Sequence, residues 1–384
     1  MAERVPFRRK TLDSLLIKPA GPDCNLACGY CFYRGKDLIF PETPVHRMSL
    51  EVLEETVRQA LAHGGRQVNF GWQGGEPTLM GLDFFRKAVE LQARYGSGKR
   101  AANGLQTNGL LLDREWARFL RENGFLVGLS LDGPEHIHDR YRRAAGGRGT
   151  WETVVARARM LLEEGVMTNA LVVVNDYSVK FASEIYGFLK DLGLSHMQFI
   201  PCVETDPEDP GRAAPFSVEG QDLGRFLGVL FDLWAGDIKD SVETTSVRFF
   251  DSVFHSYVGL APPECTLLPE CGGYLVVEHN GDVYSCDFFV EDGGKLGSVL
   301  SGRLDHMLNS ARQREFGQRK AALPEKCRSC RWLSLCRGGC PKDRLQDRRD
   351  GGLNHFCRAF EMFFEHADTR LRELAENWLK ARAA

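Results

Sequence analysis

Cys24, Cys28 and Cys31 lie in one short stretch, Cys24-Asn25-Leu26-Ala27-Cys28-Gly29-Tyr30-Cys31-Phe32-Tyr33, and no other feature restricts this chain's fold so tightly. The C-x3-C-x2-C spacing follows an apolar run, Leu15-Leu16-Ile17, that reads as a strand. Thiolates this close together in a loop can converge on one cubane iron–sulfur cluster. Three ligands for four irons leave one iron open, whereas a structural zinc site is normally closed by four ligands. A zinc knuckle lacking one ligand is the competing reading of the motif alone.

The chain has twelve cysteines, and all but Cys202 fall in clusters. The N-terminal stretch Met1–Lys10 is charged and has no apolar core of signal-peptide length. No stretch approaches the roughly 18 uninterrupted apolar residues of a membrane span. The expectation is therefore a cytoplasmic protein without a membrane partner, whose clustered cysteines bind metal rather than form disulfides. Cys202 reads as a small buried apolar-like residue. A formal charge of -3 gives no electrostatic reason to expect nucleic acid as a partner. The basic run from Lys342 to Arg349 is broken by Asp343 and Asp347, and reads as a solvated loop or helix face.

Strand-like and helix-like patterns alternate through the first two-thirds of the 384 residues. Apolar, β-branched runs predict strands over 14–18, 67–71, 102–106, 126–131, 169–174 and 197–201. Helical spacing predicts helices over 50–62, 83–95, 114–122, 151–164, 183–192 and 218–234. Such repetition argues for parallel strands joined by right-handed crossovers. Six units are too few for eight strands, so the fold class is α/β, a partial (β/α)6 TIM barrel, with an open doubly wound sheet as the other possibility. Barrels of this kind carry their chemistry at the carboxyl ends of the strands. There the sequence has Gln73-Gly74-Gly75-Glu76-Pro77, Thr107-Asn108-Gly109 and Ser130-Leu131-Asp132-Gly133-Pro134. Each is also an ordinary turn sequence; on one edge with three cysteines they gain weight together.

Beyond about residue 235 the pattern changes, and the expected division is a barrel over 1–240 and a cysteine-rich domain over 241–384. Asn280-Gly281, flanked by β-prone runs over 274–278 and 283–286, predicts a hairpin. A long amphipathic helix is expected over about 355–381. The Pro- and Asp-rich segment 204–215 reads as a loop able to reach the barrel mouth.

The cysteine triad with its following aromatic residue resembles the radical S-adenosylmethionine (SAM) superfamily. The series Cys271-x9-Gly281-x4-Cys286, Cys327-x2-Cys330-x5-Cys336-x3-Cys340, then Cys357, resembles the SPASM extension of those enzymes. Two zinc-ribbon-like sites are the competing reading of the same cysteines. With the Gln73–Pro77 and Gln106–Gly109 loops and the Cys286-Asp287 pair, the chain looks like the anaerobic sulfatase-maturating enzymes. That resemblance implies a radical SAM core and a C-terminal SPASM domain with two auxiliary iron–sulfur clusters. It implies SAM and three [4Fe–4S] clusters. Cys24, Cys28 and Cys31 would hold the SAM-binding cluster. Cys265, Cys271, Cys286 and Cys340 would hold the first auxiliary cluster, and Cys327, Cys330, Cys336 and Cys357 the second.

It further implies oxidation of a Cys or Ser side chain in a sulfatase to Cα-formylglycine, through a 5′-deoxyadenosyl radical that abstracts a Cβ hydrogen. The target would be a sulfatase polypeptide with a Cys/Ser-x-Pro/Ala-x-Arg type sequence. A low-potential donor of ferredoxin or flavodoxin type would supply the electron. Asp287 would accept the proton, because the family's catalytic Asp directly follows an auxiliary-cluster cysteine. Glu76, in the Gly74-Gly75-Glu76 turn, would bind the SAM amino group. Ser130 would contact the ribose, and Arg142 the SAM carboxylate with Arg140 and Arg143 as rivals. Gln73, Asn108 and Tyr33 would face the peptide. Peptide-crosslinking radical SAM enzymes and a plain electron carrier are the competing functions. An N-terminal recognition domain, common in the former, has only about two dozen residues available before Cys24, too few to fold alone.

Overall fold

A computed structural model describes residues 9–209, 212–238, 244–291, 293–345 and 352–383. Six strands, β1 (Ser14–Lys18), β2 (Gln67–Trp72), β3 (Arg100–Thr107), β4 (Leu126–Ser130), β5 (Met167–Val174) and β6 (His196–Pro201), run parallel in sequence order. The crossovers carry α1 (Leu50–His63), α2 (Leu82–Gly96), α3 (Arg114–Glu122), α4 (Glu135–Tyr141), α5 (Trp151–Glu163) and α6 (Ala182–Asp191). Strands and helices bury one continuous core, from Leu15, Ile17, Phe70 and Trp72 across to Val172 and Val174. The architecture is the partial (β/α)6 barrel. Local chemistry sets where its helices begin. The Ser49 hydroxyl accepts the Val52 N–H at 3.2 Å at the start of α1, and the Asp113 carboxylate accepts the N–H groups of Glu115 and Trp116, both at 2.9 Å, before α3.

After β6 come α7 (Gly220–Gly236), the two-residue β7 (Ser246–Val247) beside β6, and α8 (Arg248–Tyr257). The expected hairpin forms as β8 (Leu275–Glu278) and β9 (Asp282–Tyr284), followed by β10 (Lys295–Ser298). It does not stand apart: β8 pairs in parallel with β1, Lys18 opposite Glu278. The sheet therefore reads β10-β9-β8-β1-β2-β3-β4-β5-β6-β7. The expected division between residues 240 and 241 lies outside the described residues.

The C-terminal helix, Cys357–Ala383, packs on α7 and α8 through aromatic rings. Phe250 and Phe363 stack with centroids 5.4 Å apart, and Phe231 meets both edge-on at 5.5 and 5.8 Å. Because Cys357 opens this helix, that packing also fixes a thiol. Among the described residues no helix is long and apolar enough to cross a membrane.

Candidate active site

Parallel pairing puts the carboxyl ends of β1, β2, β3, β4 and β8 on one edge, and the loops there interlock. The β1 loop carries Cys24, Cys28 and Cys31, which line one cavity of about 700 Å3 together with Tyr33, His46 and Gly75. The β2 loop docks directly on the cysteine loop: Gly75 N–H donates to the Gly21 carbonyl at 2.8 Å and Glu76 N–H to that of Asp23 at 2.7 Å. Gly74 has φ 135°, and a Cβ on Gly75 would lie 1.9 Å from the Asp23 oxygen. The glycine pair is thus required by close approach and is more than a turn. Glu76 is 1% exposed. Its Oε1 accepts from Thr78 N at 3.0 Å, Thr78 Oγ1 at 2.6 Å and Thr107 Oγ1 at 2.8 Å; its Oε2 accepts from Asn108 N at 2.8 Å. Burial raises its pKa against the pull of these donors. Asn108, expected to face a peptide, is buried and donates its side-chain amide to Asn25 Oδ1 at 2.7 Å, tying the β3 loop to the cysteine loop as well.

The β4 loop holds a buried charge pair. Ser130 ends the strand and is buried; two residues later Asp132 is 0% exposed. Asp132 Oδ2 accepts from Arg142 Nε at 2.9 Å and from the Tyr30 hydroxyl, and Oδ1 accepts from Val173 N at 2.9 Å. Arg142 is 7% exposed, lies 5.4 Å from the Tyr30 ring and is within electrostatic reach of Cys28. Among the described residues only its Nε–H finds an acceptor, so the rest of the guanidinium fork is available. Its two rivals point elsewhere. Arg140 stacks over Tyr177 at 5.4 Å, and exposed Arg143 donates to the Asp139 carbonyl at 2.7 Å.

His138 locks this corner. Asp132 N–H donates to its Nδ1 at 3.3 Å, so the other ring nitrogen carries the proton and donates to Thr150 Oγ1 at 3.1 Å, which donates onward to the Arg142 carbonyl at 3.0 Å. Burial holds the His138 pKa down at about 4, against 6.5 normally. Its unfolded form takes up a proton first as pH falls. The stability it supports is therefore complete above pH 6.5 and is lost as pH drops towards 4, by about 2 kcal/mol at pH 5. Anaerobic urea unfolding at pH 7 and pH 5, with His138→Gln alongside, measures this; equal pH slopes in both proteins would exclude the histidine as the source.

Asp287 follows Cys286 after β9. Its carboxylate accepts from Gln73 Nε2 at 3.2 Å and from the Tyr274 hydroxyl at 3.0 Å, and that hydroxyl also lies 3.3 Å from Cys286 Sγ. Gln73 and Asp287, singled out separately in the sequence, are thus in contact. Tyr33 is buried, with its hydroxyl on Glu278 Oε1 and its ring 3.6 Å from Lys18 Nζ. Burial lowers the Lys18 pKa, opposed by Asp287, Glu278, Cys286 and Cys31 around it. Sequence reasoning passed over Lys18, Tyr30, Asp132, Tyr274 and Glu278 as site residues. Asp132 lies in the loop Ser130–Pro134, and Lys18 and Glu278 stand at strand ends.

The remaining thiols gather in two places. Cys327, Cys330, Cys336 and Cys357 line one small cavity. Cys340 is in electrostatic reach of Cys265, Cys271 and Cys286. Among the described residues no group of three or more His, Cys, Asp or Glu side chains is close enough to share a single metal ion. Burial raises the Cys28, Cys265 and Cys336 thiols to about 11 each. Ligand thiolate in such surroundings needs the positive charge of metal to form. Cys202 is buried. The run from Lys342 departs from the solvated face expected. Lys342 pairs with Glu204 at 2.7 Å, and Arg344 is turned inward onto backbone carbonyls; positions 346–349 lie outside the described residues.

Family models place residues 19–187 in the radical SAM superfamily and residues 269–331 in an iron–sulfur cluster-binding domain called SPASM. The serine-type anaerobic sulfatase-maturating enzyme of Bacteroides thetaiotaomicron is 39% identical, over 92% of this chain and 88% of the relative. The chain belongs to the anaerobic sulfatase-maturating enzyme family. The cysteine-type enzyme of Clostridium perfringens is 37% identical over 95% of this chain and 98% of its own. A solved structure, native anSMEcpe with bound AdoMet and Cp18Cys peptide, superposes with a TM-score of 0.86 at 35% identity, covering 95% of this chain and 99% of that one. Anaerobic sulfatase-maturating enzymes of both serine and cysteine type thus stand beside this chain, and membership favours that activity over peptide crosslinking.

Proposed function

We propose that this chain is a radical SAM oxidoreductase that oxidises a cysteine or serine side chain of a sulfatase polypeptide to Cα-formylglycine. The observation that carries the reading is the Asp287 carboxylate, held beside Cys286 by Tyr274 and by Gln73, the residue that follows β2 on the edge bearing the Cys24, Cys28 and Cys31 loop. SAM and one [4Fe–4S] cluster belong to that loop. Two further clusters belong to Cys265, Cys271, Cys286 and Cys340, and to Cys327, Cys330, Cys336 and Cys357. When bound, these groups supply the 5′-deoxyadenosyl radical that removes a Cβ hydrogen and the redox centres that exchange electrons.

The chain's own residues bind, orient and move the proton. Glu76 Oε2 accepts one bond from the protein and has capacity for the SAM ammonium. Arg142, anchored at Nε, offers its free N–H groups to the SAM carboxylate, a match for a guanidinium fork. Gly74 and Gly75 allow close backbone approach, and Ser130 meets the ribose. Gln73, Asn108 and Tyr33 border the target peptide. Asp287 takes the thiol or hydroxyl proton as the side chain, already short of one hydrogen, gives up an electron. Serine then yields the aldehyde directly; cysteine yields a thioaldehyde, which water hydrolyses. The target has a Cys/Ser-x-Pro/Ala-x-Arg type sequence, and the electron comes from a low-potential donor of ferredoxin or flavodoxin type.

Mass spectrometry of an anaerobic reaction with reconstituted protein, reductant, SAM and such a peptide tests the proposal. The expected result is an aldehyde at the Cys or Ser position with matching 5′-deoxyadenosine. Deoxyadenosine without peptide oxidation would refute the sulfatase assignment, and absence of both would refute radical SAM chemistry as well.

A further inference from the structure

Lys320 and Arg344 are two cations buried between the auxiliary thiol sets, 0% and 7% exposed. Among the described residues neither forms an ion pair with a carboxylate. Lys320 Nζ donates to the carbonyls of Cys265, at 2.9 Å, and Thr266, at 2.5 Å. Arg344 donates from Nε to Gly338 O at 3.0 Å, from Nη1 to Lys320 O at 2.8 Å and Ala322 O at 3.2 Å, and from Nη2 to Arg337 O at 3.5 Å. Glu264, the carboxylate in electrostatic reach of Lys320, is shared with Arg248. Burying a charge is costly unless an opposite charge lies near it. Their surroundings name that charge. Cys271, Cys265 and Cys340 act on Lys320, which also reaches Cys336, and Cys327, Cys271, Cys340 and Cys336 act on Arg344. Lys10, donating to Gly272 O at 3.0 Å, adds a third, partly exposed cation near Cys271.

We propose that Lys320 and Arg344 are the fixed countercharges of the two auxiliary iron–sulfur sites and raise their reduction potentials, Lys320 acting chiefly on the Cys265 set and Arg344 on both. The inference rests on the ligand sets of the proposed function. A cluster held by four thiolates is negative, and reduction adds another negative charge, so a nearby buried cation favours the reduced form. Arg344 is placed to act twice because it grips the carbonyls of Arg337 and Gly338, where the chain crosses from Cys336, of one set, to Cys340, of the other. An ideal Cβ at Gly338 would lie 2.7 Å from its guanidinium, so the cation fills that crossing.

The test uses the full-length chain reconstituted with iron and sulfide, with Cys24, Cys28 and Cys31 changed to alanine so that only auxiliary signals are present. Midpoints are read by redox titration followed by electron paramagnetic resonance. Lys320→Met should lower the midpoint of the Cys265 cluster more than that of the other, and Arg344→Gln should lower both. Each should show at least a tenfold loss in the equilibrium constant for reduction, about 59 mV for one electron. Lys320→Arg and Arg344→Lys, which keep charge while changing hydrogen bonds, should stay near the parent. Unchanged midpoints in the neutral variants, or equal falls in the charge-conserving ones, would overturn the proposal. Should Arg344→Gln fail to take up iron, the Lys320 variants still decide. A parent protein that holds no cluster iron would instead refute the ligand sets, which is a different result.

Discussion

Asp287→Asn should leave the clusters loaded and SAM cleavage running while the yield of formylglycine falls by roughly 10^2 to 10^4, the size of a lost general base. The change is nearly isosteric. The amide oxygen can still accept the Tyr274 hydroxyl, which lies 3.0 Å from Oδ1 in the native chain, or the Gln73 amide, which lies 3.2 Å from Oδ2. What disappears is the ability to take a proton at the position beside Cys286. Gln73→Ala, which removes one contact and leaves the carboxylate, should reduce yield far less, by about fivefold, as expected for a weak orienting hydrogen bond worth ~1 kcal/mol. Deoxyadenosine and peptide aldehyde measured in the same anaerobic samples separate the two stages. Undiminished aldehyde from Asp287→Asn would remove this residue as the base. A parallel loss of deoxyadenosine would mean that Asp287 acts before hydrogen abstraction and is not the base that follows it.

How much of this was legible in sequence depends on range. The strand over Ser14–Lys18 was readable to the residue because its apolar run is local and bounded. The β8–β9 hairpin was readable from Asn280-Gly281 for the same reason. The parallel seam between β1 and β8 was not, since parallel neighbours share no turn and Lys18 and Glu278 meet only through the whole fold. Cysteines announce themselves by spacing. The polar residues that hold the loops together do not. Asp132 sits in a sequence that any turn might have, and only Tyr30, Arg142 and Val173, distant along the chain, give it a role. Arg344 looked like part of a solvated basic run because interruption by aspartates is the usual mark of a surface. Its burial follows from helix Pro341–Leu345 starting directly after Cys340, which turns the guanidinium back over the loop it has just left.

That hidden pair at Asp132 carries the other large effect. The carboxylate serves three donors, Arg142 Nε, Tyr30 and Val173 N, with no exposure to water. Asn at this position has one acceptor oxygen for the three and places an N–H against another donor, leaving the Arg142 guanidinium buried without its countercharge. Breaking a buried pair from one side costs about 3–5 kcal/mol, whereas replacing both partners with apolar groups is often close to neutral. Asp132→Asn should therefore lower the unfolding free energy by that amount, and Asp132→Leu with Arg142→Met should recover part of it, since Tyr30 and Val173 N still lose their acceptor. SAM affinity should follow a different course. It should be weakened in the single variant and equally weak in the double, because the fold is partly restored without restoring the guanidinium. Denaturant unfolding and equilibrium SAM binding on the same proteins decide it. If stability losses simply add in the double variant, the pair is not coupled as described; if SAM binds the double variant normally, Arg142 is a structural residue, and one of its rivals meets the SAM carboxylate.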